Sequence, residues 1–475
     1  MPPASPPLPS SSPEPRQECA PLPQAITGRL KLAVRRFRTP ALPESLDKAR
    51  ACDSATALAT AIERARQALG AGSAPGDDVR ALFLDALARH IAEAMRPEHG
   101  DAALQAMVLR HRSPAVREFA SLNAHAEVDR RQIRSAANAL AHPAKLQDQP
   151  AGEIRDGLQR MQQASAAADW SDVDDAIMDL LGLPEVQDEP VLFRSLERIV
   201  SDDALRRLCR IEALGQRDEV QRYRALWARQ GPAAGTGQAA SAGSDAQRRG
   251  DAVEALAAQA LEVLAARLNA EEDPPRYRVA TSLKVPSSIP GDPRRAKSEW
   301  DVALLRRHDA GTWDLLLLVE AKASADAATT DLPRLLRGLR LLAQADPQST
   351  YAFASHQGEI PLRGASLRAL PTEEDDLARA VLYCSDAPAE QAPRLLSAAS
   401  RMQLLSTPAS LDFADRLERG ASVEPRQLKA VWDQLLTAPA FKPVLRQHAT
   451  LRTVRELMLH PSDLMAVAQD APDST

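Results

Sequence analysis

Aromatic side chains are scarce in this sequence, at 3% of its 475 residues. That scarcity argues against nucleic-acid binding on stacked Phe, Tyr or Trp platforms, which need several rings close together. Cysteine is scarcer still. Cys19, Cys52, Cys209 and Cys384 are scattered without a CxxC pair, so neither a zinc knuckle nor a disulfide framework is expected, and the thiols read as reduced and structural. The histidines lack HxxxH and HExxH spacing, which disfavours zinc hydrolysis. There is no GxxxxGKS or GxxxxGKT run for a nucleotide-driven motor and no GxSxG for a serine hydrolase. Surplus positive charge is missing too. With a net charge of -5 and a pI near 6.1, any contact with phosphate must come from a local basic surface. No stretch approaches the roughly 20 apolar residues that span a bilayer. The opening MPPASPPLPSSSPEP has no charged segment leading into an apolar one. A cytoplasmic protein with no membrane partner is the expectation.

What is present is ordinary globular chemistry: 44% hydrophobic and 26% charged residues, far from the signature of full disorder. A chain of this length is expected to form two to four folded units. Residues 1–25 are Pro- and Ser-rich with few large apolar side chains and read as a disordered tail. Residues 26–229 are rich in Ala, Leu, Arg and Glu with apolar residues at helical spacing, as in Asp77 to Met95 and Ala115 to Ala141, and predict an all-helical region. Residues 230–250, mostly Gly, Ala, Ser and Gln, have the composition of a flexible linker.

After residue 250 the pattern changes. Strand-length apolar runs appear at Tyr277 to Val285, Glu299 to Leu305, Trp313 to Ala323, Thr350 to Ser355 and Arg379 to Ser385. A helix is predicted before them over Asp251 to Asn269, with Val253, Leu256, Ala257, Ala260, Leu261, Leu264 and Leu268 as its apolar stripe. Another follows the third strand over Asp331 to Ala345. The order is helix, three strands, helix, strand, loop, strand, which predicts an α/β (α+β) fold with a mixed sheet flanked by helices. Leu315 to Val319 are apolar at consecutive positions, as in a central strand covered on both faces. Residues 387–475 read as a helical C-terminal segment.

Alternation along the third strand puts Leu316, Leu318, Glu320 and Lys322 on one face and Leu315, Leu317, Val319 and Ala321 on the other. Pairing with the strand before it brings Asp301 beside Glu320. Two carboxylates and an ammonium then converge at the end of a buried strand, where they are costly to desolvate unless a cation or substrate compensates them. Phosphodiester hydrolysis suits such a cluster. Carboxylate oxygens hold Mg²⁺ or Mn²⁺, which acidifies a bound water, and the lysine orients that water or takes its proton.

The runs SEWDVALL and DLLLLVEAKAS, a D-x18-E-x-K pattern, resemble the PD-(D/E)XK nuclease superfamily over about residues 250–386. The resemblance implies a restriction-endonuclease-like sheet in residues 251–386 and a Mg²⁺-dependent endo- or exodeoxyribonuclease. It implies that Asp301 and Glu320 ligate the metal and that Lys322 assists the water. It also implies two further ligands, the backbone carbonyl of Ala321 and Glu254 on the preceding helix. Trp300 stands at the family's name-giving Pro position, which is variable.

Each feature also has a plainer structural account. Glu320 and Lys322 make a same-face salt bridge, and Asp251 with Glu254 resembles a capping box. Glu299 lies about 7 Å along the strand from Asp301, towards the solvent edge. Arg294, Arg295 and Lys297 in the loop PGDPRRAKS are the candidates for tracking a DNA backbone; elsewhere the arginines read as solvated helix faces. The alternative function is a catalytically inactive nuclease-fold binding or scaffold protein, with the helical regions contacting a protein partner.

Overall fold

The computed structural model describes residue 30 and residues 36–147, 149–229, 237–388 and 394–469. The expected disordered tail and the first part of the expected linker lie outside them. The chain forms two compact units, one of residues 1–83, 235–401 and 435–475, the other of 84–234 and 402–434. Sequence divides the chain into consecutive blocks; the units are instead interleaved. Helix Pro408–Glu418 belongs to the helical unit, where Arg112 holds it through Asp415 at 3.3 Å and Glu418 at 2.7 Å. Amphipathic helices look alike in sequence, and their docking partner is a tertiary matter.

The helical unit is built from helices whose first turns are capped as their sequences dictate. Asp101, Ser113, Asp169 and Asp202 each accept a hydrogen bond from a backbone N–H of the helix that follows, satisfying donors that have no partner within the helix. The long helix expected over Ala115 to Ala141 is broken into Pro114–Asn123 and Ala126–Ala141. The break falls around Asn123 and His125, both weaker helix formers than their neighbours, and Pro114 at N1 and the Ser113 cap set the first piece. One core of the helical unit joins Ile133, Leu158, Met161, Trp170, Ile177, Leu196 and Leu205.

The other unit is mixed helix and sheet, as expected. Its strands are β1 (Tyr277–Lys284), β2 (Glu299–Arg307), β3 (Trp313–Ala321), β4 (Thr350–Ser355), β5 (Gly358–Arg363), β6 (Val381–Cys384) and β7 (Met458–Leu459). Their order is β2-β1-β4-β5-β3-β6-β7, with β2 also paired to β3, so β1 to β5 close into a small barrel. An open restriction-endonuclease-like sheet is not what forms. The closing element is the β4–β5 hairpin, whose β5 contains Gly358 and Pro361 and falls in the stretch expected to be loop. Gly358 takes φ +94° at the turn, a conformation that favours glycine, and Ile360 and Leu362 are fully buried. One end of β4 meets β1 at Ala354↔Lys284, and β5 meets β3 at Leu362↔Trp313.

Helices cover both faces of the sheet. Helix Gly237–Glu271 buries Val253, Ala257, Leu261, Leu264 and Leu268 with Val302, Leu304, Leu317 and Val319. It takes in residues 237–250, so that part of the expected linker is helical, and Leu256 of the expected stripe is exposed. Helix Ala325–Leu342, capped by Ser324 and so longer than its Asp331 start suggested, packs Leu332, Leu335 and Leu339 with Trp300, Ala303, Leu318 and Tyr383. β3 is central as expected, but its alternation is interrupted. Leu304 pairs with Leu317 and Leu305 with Leu315, so Leu316 is the extra residue of a bulge. Leu315 consequently faces the Trp300 side and Leu316 the opposite one. Cys209 and Cys384 are free, and burial pushes the Cys384 thiol up to about 12. Among the described residues no helix is long and apolar enough to cross a membrane.

Candidate functional site

Beyond the Leu316 bulge, β2 and β3 run in regular antiparallel register through Ala303↔Leu318 and Val302↔Val319. One further step along both strands brings Asp301 beside the end of β3, where its Oδ2 accepts the Ala321 N–H at 2.8 Å. Glu320 faces the Trp300 side of the sheet, and its side chain has no exposed surface. Lys322 returns from just past the strand, its Nζ 3.1 Å from Glu320 Oε2 and 3.5 Å from Asp331 Oδ2. The three residues expected to form the site are therefore together.

A second ammonium completes the cluster. Lys297, expected on the basic loop beside Arg294 and Arg295, points inward instead: its Nζ lies 2.5 Å from Glu320 Oε2 and 3.6 Å from Asp301 Oδ1. It also sits 5.7 Å from the centre of the Trp300 ring, a distance at which a cation gains from the aromatic face. Gly338 makes room for this arrangement, because a Cβ there would lie 2.9 Å from Lys297 Cβ and 3.1 Å from Trp300 Cζ2. Of the other loop residues, Arg294 is exposed and bound to Asp292 at 2.8 Å. Arg295 is also exposed, and its carbonyl accepts from Arg337 at 2.8 Å.

Burial drives the electrostatics. It raises the Glu320 carboxyl to about 8, with the Asp301 charge adding to the shift and Lys297 and Lys322 opposing it. For Lys322, burial works against the ammonium, but Glu320, Asp301 and Asp331 outweigh it and hold the pKa above the ordinary value. Glu254, half-buried on helix Gly237–Glu271, is raised by burial and then by the charge of Asp301, so it feels the same centre. Glu299 is exposed, and its carboxylate accepts from the Ser282 hydroxyl. Asp331 and Tyr383 are members that sequence reasoning missed. Parallel pairing of β3 with β6 sets Tyr383 beside Glu320, and burial, Asp331 and Glu320 raise its phenol far above the ordinary range. Tyr383 is revealed only by the pairing of distant segments, and Asp331 only by the way the helix after β3 packs back on the strand.

Glu320 Oε1 is buried with no hydrogen-bond partner, although such atoms are nearly always satisfied in native folds. The donor set fits a small hard cation. Asp301 and Glu320 offer carboxylate oxygens and one of these is unclaimed, while Mg²⁺ characteristically uses one or two carboxylates and keeps several waters. Among the described residues no three His, Cys, Asp or Glu side chains form a complete cage for a metal. Comparison of the chain with protein-family models, curated proteins and solved structures finds no match.

Proposed function

We propose that the sheet unit is a metal-dependent nuclease of the PD-(D/E)XK type that hydrolyses phosphodiester bonds of DNA. The observation that carries this reading is the meeting of Asp301, Glu320 and Lys322 at the ends of β2 and β3, with Glu320 buried and one of its oxygens unpartnered. The fold supports this reading only as a mixed sheet with packed helices, because β1 to β5 close into a small barrel rather than an open sheet. Asp301 and Glu320 would hold Mg²⁺ or Mn²⁺, with Glu254 and the Ala321 carbonyl as the further ligands that the resemblance implies. When bound, the metal supplies an acidified water and neutralises charge on the phosphate. Lys322, held by Glu320 and Asp331, would orient that water and stabilise negative charge as it develops.

One observation favours the second reading, a nuclease-like fold that binds without turnover. Lys297 already stands between Asp301 and Glu320 and balances their charge without a metal. Cleavage of linear, nicked, branched and single-stranded DNA by wild type and Lys322→Ala, in Mg²⁺, Mn²⁺ or EDTA, separates the two. Metal-dependent cutting by wild type alone supports the nuclease. No cutting, together with no Mn²⁺ uptake by calorimetry, rejects it in favour of the binding fold.

A further inference from the structure

The helical unit contains a cleft of about 1200 Å³, remote in sequence from the carboxylate cluster. It is walled by helices Ala102–Arg112, Pro114–Asn123, Ala126–Ala141, Trp170–Gly182, Asp203–Gly215 and Asp218–Ala228. In a chain so poor in aromatics, two of the five tryptophans and one of the four tyrosines line this one space. Phe119 and Tyr223 are buried, with ring centres 6.5 Å apart and planes at 81°. Tyr223 in turn meets Trp227 at 6.1 Å and 71°. The edge-to-face contacts brace the indole from below, while Trp227 itself remains 50% exposed and offers a ring to an incoming planar group.

Positive charge lines the same cleft. Arg110, Arg130, Arg134 and Arg224 line the cleft, against Glu127 and Glu212. The carboxylate of Glu212 is engaged by the first turn of helix Trp170–Gly182, accepting from Trp170 N at 3.1 Å and Ser171 N at 2.9 Å. Arg134 lies 5.9 Å over the Trp170 ring. Arg110 and Arg224 form no ion pair among the described residues. Arg130 pairs with Glu127 at 3.4 Å, which leaves a local excess of guanidinium that is complementary to an anionic ligand, as the exposed indole is to a flat one. A nucleotide has both properties. The volume exceeds the about 300–1,000 Å³ usual for small-molecule clefts, which suits consecutive nucleotides of a strand better than one free nucleotide.

We propose that this cleft binds single-stranded nucleic acid, one base stacking on Trp227 and the adjoining phosphates meeting Arg110, Arg130 and Arg224. The site does not depend on the nuclease reading. It is tested by fluorescence anisotropy of a labelled single-stranded oligodeoxynucleotide with the full-length protein in EDTA, where no metal-dependent cutting occurs. Competitors are the matching duplex, a mononucleotide and inorganic phosphate. Trp227→Ala is expected to weaken binding by about 5- to 150-fold, the range for loss of one stacked base. Arg130→Ala/Arg224→Ala is expected to reduce the slope of log affinity against log salt by about 1.4, since each phosphate contact to a single strand contributes about 0.7. Binding in EDTA without cutting in Mg²⁺ or Mn²⁺ counts against the nuclease reading alone, and cutting without Trp227-dependent binding counts against this site alone. All three aromatic and arginine positions changed are at least partly exposed, and circular dichroism checks that the helices persist. Absence of saturable binding, or equal affinity in wild type and Trp227→Ala, overturns the site. A mononucleotide that binds as tightly as the strand overturns the assignment to a strand.

Discussion

Replacing Lys297 by Met tests whether the second lysine is the counter-charge of the buried carboxylates. Its side chain is 5% exposed, and Nζ lies 2.5 Å from a Glu320 that has no exposure at all. Above pH 8, where the Glu320 carboxyl is ionised, removing one partner of a buried pair costs about 3–5 kcal/mol, because the charge left behind is uncompensated. Two features place this site at the low end of that range. Lys322 remains 3.1 Å from Glu320, and methionine replaces most of the lysine stem, so little cavity opens. The expected loss is therefore about 3 kcal/mol, confined to the sheet unit. Lys297→Met/Glu320→Gln should recover more than half of it, since the orphaned charge is removed while Lys322 keeps Asp331 at 3.5 Å. That corresponds to a coupling of about 1.5–3 kcal/mol between the two positions. A chain of two units has no single unfolding free energy, so the assay is hydrogen exchange resolved over residues 299–322, which reports opening of β2 and β3 themselves. A change under about 0.5 kcal/mol for Lys297→Met, or strict additivity in the double variant, would refute the assignment.

Gly338→Ala probes the same contact from the helix side. Alanine gains about 1 kcal/mol in helix propensity, but its Cβ would lie 2.9 Å from Lys297 Cβ, and such overpacking costs about 1–3 kcal/mol. The net is a destabilisation of up to about 2 kcal/mol in the same exchange assay; a stabilised variant would show that the Lys297 loop yields freely. His448 supplies a pH dependence. Burial lowers its pKa below 6.5, Glu63 opposes this, and Arg452 and Arg66 add to it. A folded pKa below the unfolded one means that the contribution to stability is complete above about pH 6.5 and is lost as pH falls through the folded value. His448→Gln should accordingly show a shallower fall in Tm from pH 7 to pH 5 than wild type, and parallel curves would assign the acid sensitivity elsewhere.

Asp301, Glu320 and Lys322 were legible in the sequence because two local regularities place them. Alternation puts Glu320 and Lys322 on one face, and antiparallel pairing of strands adjacent in the chain brings Asp301 to them. The closed barrel was hidden for the opposite reason. Gly358 and Pro361 carry loop-like composition, and β5 is a strand only because β4 and β3 supply its partners. The bulge at Leu316 belongs to the pairing of β2 with β3, and five consecutive apolar residues carry no mark of where alternation breaks. The helical blocks were recognisable, but nothing in the amphipathic pattern of Pro408–Glu418 names Arg112 as its partner.

The electrostatic state of the site was the least legible feature, and it bears most on function. Sequence offers one lysine for two carboxylates, a deficit that by itself calls for a cation. The fold brings Lys297 from the loop before β2 and Asp331 from the helix after β3, so the cluster contains two ammonium groups and three carboxylates before Glu254 is counted. A metal entering beside Asp301 and Glu320 therefore competes with Lys297 for the same oxygens. Lys297→Met ought to be less stable without metal and to gain more thermal stability from Mn²⁺ than wild type, because a ligand stabilises in proportion to its preference for the folded state. Mn²⁺ titrations of Tm in both proteins decide the matter. An equal gain in the two would place the metal away from Lys297, and no gain in either would favour the fold that binds without turnover.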